Sequence, residues 1–149
     1  MIVNANQRCI VLLLSMLTFG CGGAEPADLP KVALFPFGGV VKVNGKPISG
    51  AQVTLHPSND STLGIVNPNG ITDESGLFTL TTYQPADGAP EGKYLVTVSW
   101  AEVKNANSSD PEYGPEKLPR RYQDKALSGL SLEVTADSTE PPTLELALR

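Results

Sequence analysis

The side chains that most often carry out catalysis are sparse in this chain of 149 residues. His56 is the only histidine, and it stands at the end of a predicted strand, directly before Pro57. A metal site or a general base would need partners, and the sequence offers no second histidine. The serines and threonines therefore have no base to activate them as nucleophiles. We interpret His56 as a solvated residue at a strand end and predict no catalytic residue, no cofactor and no enzymatic activity.

Two neighbouring carboxylates, Asp73 and Glu74, suggest a different chemistry. Carboxylates in a turn that contains glycine, here Gly76, suit a hard cation such as Ca²⁺. The same pattern between two strands is also typical of a tight turn, in which the Asp side chain binds the backbone and the glycine takes a positive φ. We favour the turn and predict no metal site.

Four aromatic side chains have the chemistry of a binding surface. Aromatic rings offer a large, rigid contact area, so together they could form a platform for a sugar. The structural alternative is that the tryptophan closes the end of the core and that one tyrosine fills space beneath a long loop. These candidates for a ligand or partner surface are Trp100, Tyr83, Tyr113 and Tyr122.

The first twenty residues predict an export signal. Arg8 precedes an apolar run over residues 9–19, which is shorter than the roughly 20 residues that span a bilayer comfortably. Residues 17–21 then resemble a bacterial lipobox, in which a small residue, here Gly20, precedes a cysteine that is lipidated. A lipid on Cys21 would anchor the protein stably to a membrane. The alternatives are a free thiol at Cys21 and cleavage by an ordinary signal peptidase.

The charge balance excludes some partners. The whole chain has 11 Lys and Arg against 16 Asp and Glu, and removal of a leader containing Arg8 leaves 10 against 16, a net charge of −6. The charges are dispersed and no basic cluster occurs. This pattern argues against binding to nucleic acid and against electrostatic attachment to anionic lipid. The membrane contact is therefore expected through the lipid on Cys21 alone.

Short runs of alternating apolar and polar residues follow, separated by turns rich in Gly and Pro, which predicts an all-β domain. Asn44-Gly45 is a strong hairpin signal between the first two runs. Residues 77–82 are predicted to form a central strand, and residues 101–116, which show no apolar period, a long loop. The pattern indicates an antiparallel sandwich of about seven strands, at 39–43, 51–57, 71–72, 77–82, 94–100, 130–134 and 143–148.

Three segments carry a family resemblance. Residues 39–57 resemble the opening hairpin of carboxypeptidase-regulatory-like domains, and residues 72–80 and 92–98 resemble two further signatures of the same family. The segments 118–122 and 128–130 are similar to the end of a group of small bacterial lipoproteins built on this domain. The resemblance implies a transthyretin-like (prealbumin-like) fold, a seven-stranded antiparallel Greek-key sandwich over residues 38–149. Residues 1–20 would then be a lipoprotein signal peptide and residues 21–37 a flexible tether.

These observations together predict a non-catalytic protein, anchored by lipid in the bacterial cell envelope and facing the periplasm. Its sandwich would serve a structural role or bind another envelope protein, with the sheet edges and residues 101–124 as contact surfaces. The alternative is a small module that binds carbohydrate or another envelope ligand through Trp100 and the nearby tyrosines.

Overall fold

Two four-stranded sheets hold most of the strands in the computed structural model, which describes residues 32–58, 66–105, 108–138 and 140–148. A short 3-10 helix, Arg120–Gln123, is the only helix among these residues. The strands of the described residues are β1 (Leu34–Phe35), β2 (Gly38–Val43), β3 (Lys46–Pro47), β4 (Gln52–Pro57), β5 (Asn69–Ile71), β6 (Leu77–Thr79), β7 (Ala89–Pro90), β8 (Gly92–Ser99), β9 (Ala101–Lys104), β10 (Glu112–Glu116), β11 (Ser131–Val134) and β12 (Thr143–Leu146).

The first sheet has the strand order β11-β8-β4-β5, and all of its pairs are antiparallel. In the second sheet, β2 lies between β12 on one side and both β3 and β6 on the other. A single hydrophobic cluster takes side chains from both sheets. The described part of the chain is therefore nearly all-β, as the alternating sequence predicts, and its layers are consistent with a β-sandwich.

One pair departs from the expected antiparallel arrangement. β12 runs parallel to β2, with Leu144 opposite Val41 and Leu146 opposite Val43. The preceding strand β11 belongs to the first sheet, so the chain crosses to the second sheet before β12 begins. A crossing connection can bring a strand in beside β2 in the parallel direction, whereas a tight hairpin cannot. Apolar alternation carries no information about this direction.

The expected hairpin at residues 44 and 45 is confirmed. Asn44 and Gly45 have φ values of 50° and 78°, the positive pair that a type I′ turn requires, and Val43 pairs with Lys46 across it. The turn after β5 is confirmed as well. There Asp73 Oδ1 accepts hydrogen bonds from the N–H groups of Ser75 and Leu77.

The strand expected at residues 77–82 is shorter and less central than predicted. β6 covers only three residues and pairs with the first half of β2. Beyond it, Thr81 forms an isolated bridge to Asn69 at the edge of the first sheet. The central strands are instead β2, β4 and β8. The segment of β6 thus contacts both sheets at their edge. It contributes Phe78 to the core but lies in the middle of neither sheet.

The corner formed by β2, β5 and β6 depends on residues without side chains. A Cβ on Gly70 would lie 2.5 Å from the carbonyl oxygen of Thr79, and one on Gly39 would lie 2.8 Å from the ring of Phe78. Real Cβ contacts are essentially never this short. These glycines therefore allow the backbones of the two sheets to approach around the Phe78 ring.

Alternation along the predicted strands predicts that every second side chain points inward, and most of these side chains are buried. The set is Val41, Val43, Val53, Leu55, Phe78, Leu80, Tyr94, Val96, Val98, Leu130, Leu132, Val134, Leu144, Leu146 and Leu148. Leu148 is an exception at 49% exposed, because β12 ends at Leu146, and Leu130 is only partly buried. The core also contains residues that the strand pattern did not include. These are Phe37, Ile48, Ala89, Leu118 and Tyr122.

The packed fold begins before residue 38, where the sequence placed the end of the tether. β1 pairs with β7 and Phe37 is buried in the core. The last residues of the predicted tether are thus part of the domain, because two Phe side chains in this segment find apolar partners. The predicted signal peptide, Cys21 and the first part of the tether lie outside the described residues.

Candidate interaction surface

Strands β9 and β10 form a β-hairpin within residues 101–116, where the sequence predicted an irregular loop. β9 and β10 pair in antiparallel fashion, with Tyr113 opposite Val103 and Glu112 opposite Lys104. A register shift between Tyr113 and Glu116 accommodates Gly114 and Pro115. Since β9 follows β8 with only Trp100 between them, this hairpin extends directly from a central strand of the first sheet.

The pairing makes the β9–β10 hairpin amphipathic. Val103 and Tyr113 are cross-strand partners, so their side chains share one face. Lys104 and Glu112 are cross-strand partners on the other face, which therefore carries one positive and one negative side chain. A two-stranded hairpin alone is marginally stable in water, and its apolar face needs a partner surface.

That apolar face forms one side of a cleft, which we call the hairpin cleft. Its volume is about 430 Å³, and its other side is the outward surface of β4, β5 and β8. Three of its apolar side chains are exposed: Tyr113 at 70%, Ile71 at 67% and Val103 at 43%. The lining residues are Gly50, Gln52, Ile71, Ser99, Ala101, Val103, Pro111 and Tyr113.

The base of the β9–β10 hairpin is held by Glu116. Its carboxylate accepts hydrogen bonds from Ser99 Oγ at 2.6 Å, from the N–H of Trp100 at 2.7 Å and from the N–H of Leu118 at 3.0 Å. Burial by itself raises the pKa of Glu116, but these bonds and one from the N–H of Lys117 outweigh it and lower the pKa below its ordinary value. Glu116 is therefore ionised near neutral pH and ties the end of β10 to β8.

Of the four aromatic candidates, Tyr113 lines the hairpin cleft and the other three do not. Trp100 packs against the hydrophobic core, as the structural alternative predicts. Its Nε1 donates to the carbonyl oxygen of Ser49 at 3.0 Å, and Lys117 Nζ lies 4.8 Å from its ring centroid. The hydrogen bond at Nε1 and the cation over the ring hold the Trp100 side chain in place at the end of the sandwich.

Tyr122 is buried, at 5% exposed, and its hydroxyl fixes the end of β12. The Oη accepts hydrogen bonds from the N–H of Ala147 at 2.9 Å and from the guanidinium of Arg121 at 3.0 Å. Burial raises the pKa of Tyr122, but these bonds and the charge of Arg121 lower it overall. Tyr83 lies in the segment before β7, where its N–H donates to Asp87. The structure therefore does not assemble the four rings into one platform.

The remaining polar candidates have structural partners. His56 Nε2 lies 2.9 Å from Thr97 Oγ1 on the outward face of the first sheet, and burial, with a smaller effect of Lys125, lowers the pKa of the imidazole. It is half-buried on β4 and not fully solvated as expected. The carboxylate of Asp73 accepts hydrogen bonds from the N–H and the hydroxyl of Ser75 within its own turn. Among the described residues, no group of three or more His, Cys, Asp or Glu could hold a metal ion.

The sequence signal for the hairpin cleft is weak. Alternation in β9 lasts only four residues, and β10 contains both Gly114 and Pro115, which are typical of loops. The cleft also draws on four segments that are distant in the sequence. Tyr113 was predicted as a surface residue, but Ile71 and Val103 were not identified.

Comparison with known proteins adds little. No family model matches the chain, and no curated protein matches it. Among solved structures, the crystal structure of a 9R-lipoxygenase from Cyanothece PCC8801 is similar over 76% of this chain and 16% of that chain, with 16% sequence identity and a TM-score of 0.37. A likeness at this TM-score carries no argument. No helix within the described part of the chain is long and apolar enough to cross a membrane.

Proposed function

We propose that this chain is a non-catalytic, lipid-anchored protein of the bacterial cell envelope whose β-domain binds another protein through the hairpin cleft. The observation that carries the proposal is the exposure of three apolar side chains, Ile71, Val103 and Tyr113, on the two sides of one cleft. Exposed apolar clefts with a polar surround are typical of interaction sites. The core needs none of these three side chains, since none belongs to the hydrophobic cluster.

The envelope location and the anchor rest on the sequence. The apolar leader and the lipobox resemblance support export and lipidation at Cys21, and we propose that the lipid is the membrane contact. For the fold, we propose a transthyretin-like Greek-key sandwich. The support is that seven strands remain when the two-residue strands and the hairpin are set aside. They are β5, β4, β8 and β11 in one sheet and β6, β2 and β12 in the other.

The second candidate function is a module that binds carbohydrate or another small envelope ligand. Its support is that Tyr113 shares the hairpin cleft with the polar side chains of Gln52 and Ser99. An exposed ring beside amide and hydroxyl groups can both stack on a sugar and hydrogen-bond to it. We favour a protein partner because most of the cleft lining is apolar.

Photo-crosslinking in native membranes tests the main proposal. A photoreactive amino acid replaces Val103 in the cleft or, as the matched control, Leu127, which is 65% exposed and does not line the cleft. We expect one defined protein adduct at position 103, absent at position 127 and lost when Tyr113→Ala is added. No adduct at 103, or the same adducts at both positions, would contradict the proposal.

The anchor and the alternative have separate tests. The intact mass of protein purified from membranes should exceed the processed chain by a lipid, and Cys21→Ser should abolish the increase. An unmodified wild-type chain would contradict lipidation. If the alternative is correct, a glycan panel will change the tyrosine and tryptophan emission of the wild type, and Tyr113→Ala will abolish the change.

A further inference from the structure

Asparagine followed by glycine occurs twice in the chain, at Asn44-Gly45 and at Asn69-Gly70. In such a pair the backbone nitrogen of the glycine can attack the side-chain Cγ of the asparagine, because glycine has no side chain to obstruct the approach. A bond forms between the nitrogen and Cγ, the Cγ–Nδ2 bond breaks, and the side-chain nitrogen leaves as ammonia. Water then opens the resulting cyclic succinimide to aspartate or isoaspartate. Both pairs are therefore candidate sites of covalent change.

The Asn44-Gly45 pair lies at the tip of the β2–β3 hairpin, with a carboxylate beside it. Both residues are exposed, and the space around Gly45 is open, since a Cβ there would meet nothing within 4 Å. The N–H of Gly45 donates to Oε1 of Glu145, on the neighbouring strand β12, at 2.5 Å. Glu145 thus contacts the proton that the attacking nitrogen must lose, which is the position of a general base.

The Asn69-Gly70 pair has the opposite surroundings. The N–H of Asn69 donates to the carbonyl oxygen of Thr81 at 3.0 Å, and the carbonyl oxygen of Asn69 accepts from the N–H of Thr81 at 2.7 Å. Gly70 is buried and lies opposite Val53 in the β4–β5 pair. Among the described residues, no side chain accepts a hydrogen bond from the N–H of Gly70. Attack by Gly70 would require the strands to separate, and no base contacts its nitrogen.

We infer that Asn44 is a site of self-modification, in which Glu145 is the general base that takes the proton of the Gly45 N–H as this nitrogen attacks Asn44 Cγ. Glu145 passes the proton to the departing side-chain nitrogen, which leaves as ammonia, so the carboxylate is regenerated. The chain supplies the nucleophile, the base and the leaving group, and the solvent supplies the water that opens the ring. This inference is independent of the proposed function, because none of these residues lines the hairpin cleft.

The product changes the end of the hairpin. Aspartate or isoaspartate at position 44 places a second negative charge beside Glu145, and isoaspartate also adds one backbone atom to the turn. Like charges on neighbouring strands are destabilising, and a type I′ turn depends on its two central residues with positive φ. We therefore expect the converted protein to melt at a lower temperature than the unconverted protein.

The test follows the purified full-length protein in detergent during incubation at physiological temperature and neutral pH. Peptide mapping by mass spectrometry, with fragmentation of each peptide, assigns every change from amide to acid to one residue and separates aspartate from isoaspartate. We expect Asn44 to convert at least about tenfold faster than Asn69, with isoaspartate among the products.

Matched variants isolate the contribution of the base. Glu145→Gln keeps an oxygen that can accept from the N–H of Gly45 but removes the carboxylate, so it should slow conversion of Asn44 by about tenfold and leave Asn69 unchanged. Glu133→Gln, at an exposed glutamate on β11, should change neither rate. In denaturing urea, where the turn is lost, the two asparagines should convert at similar rates and Glu145→Gln should have no effect. Circular dichroism without urea establishes that both variants are folded.

Several outcomes would overturn the inference. Equal rates at Asn44 and Asn69 in the folded protein would mean that the turn and its carboxylate add nothing. A rate at Asn44 that is unchanged or higher in Glu145→Gln would show that the bond to Glu145 does not activate the nitrogen. Aspartate without isoaspartate would indicate direct hydrolysis of the side-chain amide and exclude attack by Gly45.

Discussion

The interior of the sandwich and the β9–β10 hairpin use apolar side chains in opposite ways. In the interior, Phe78 and Tyr94 are each 1% exposed, and the Tyr94 hydroxyl donates to the carbonyl oxygen of Pro90 at 2.7 Å. No buried side-chain N or O atom of the described residues lacks a partner. In the hairpin, the side chains of Val103 and Tyr113 remain exposed to solvent. On the proposed function, stability and recognition reside in separate regions, so we expect that substitutions can affect one without the other.

The largest effect is expected at Phe78, whose ring fills the corner where the two sheets meet. Phe78→Ala should lower the free energy of unfolding by about 3–5 kcal/mol, because it removes buried apolar surface and leaves a cavity. Urea denaturation followed by circular dichroism measures this change, with Leu127→Ala as an exposed control expected to change it by less than about 0.5 kcal/mol. A loss at Phe78 no larger than at Leu127 would contradict a core at this corner.

A smaller loss of unfolding free energy is expected for Gly70→Ala, because the substitution introduces a steric clash and removes no buried side chain. Gly70→Ala would place a Cβ 2.5 Å from the carbonyl oxygen of Thr79, so the strands must separate. We expect about 1–3 kcal/mol of destabilisation by urea denaturation. Gly45→Ala supplies the contrast, because its Cβ meets nothing within 4 Å and its cost arises only from the positive φ. If the Thr79 amide and its neighbours show no NMR shift changes in Gly70→Ala, the close approach is incorrect.

Glu116 connects the hairpin to the sandwich, and its contribution to the free energy of unfolding should depend on pH. Because the folded-state pKa lies below the ordinary value, the carboxylate stabilises the fold above the unfolded pKa, about 4.3 for Glu, and this contribution disappears as pH falls through the lower folded-state pKa. Glu116→Gln should therefore be less stable than the wild type near neutral pH, by about 1 kcal/mol for a partly exposed group, and the difference should vanish in acid.

Hydrogen exchange localises the effect of Glu116. The N–H groups of Trp100 and Leu118 donate to its carboxylate and should exchange faster in Glu116→Gln, while the N–H of Val96 in the middle of β8 should not change. Uniform acceleration at all three positions would show that the residue supports the whole domain and would remove the distinction between hairpin and core.

The smallest effect on stability is expected in the hairpin cleft itself. Tyr113→Ala removes a side chain that is 70% exposed, so the free energy of unfolding should change by less than about 0.5 kcal/mol. Thermal unfolding of Tyr113→Ala should be compared with that of Tyr122→Phe. The second variant loses the hydroxyl that accepts a hydrogen bond from the N–H of Ala147. A larger loss at Tyr113 than at Tyr122 would mean that the hairpin contributes to the core.

The sequence predicts the local parts of this fold well. Alternation places Val41, Val53, Leu55, Val96 and Val98 in the core, because adjacent side chains of a strand must point to opposite faces. The turn at residues 44 and 45 follows from two residues that accept a positive φ. In each case the interaction that determines the structure lies within a few residues of the pattern that reveals it.

What the sequence does not reveal depends on contacts between distant segments. The direction of β12 beside β2 depends on how the sheets assemble, and the β9–β10 hairpin depends on Glu116 reaching back to Ser99. The close approach at Gly70 requires Thr79 to be in place. The hairpin cleft likewise combines side chains from four segments of the chain, whereas the aromatic pattern suggested a platform that the structure does not assemble.

The parallel pairing of β2 and β12 has a mechanical consequence. The pair is closed at one end by the bond from Val40 to Pro142, at 2.8 Å, and at the other by the bond from Asn44 to Leu146, at 2.9 Å. Because the strands are parallel, tension applied between the start of β2 and the end of β12 acts along both strands in opposite senses. All the bonds of the pair then bear the load together in shear, instead of breaking one after another as in an antiparallel hairpin pulled at its open end.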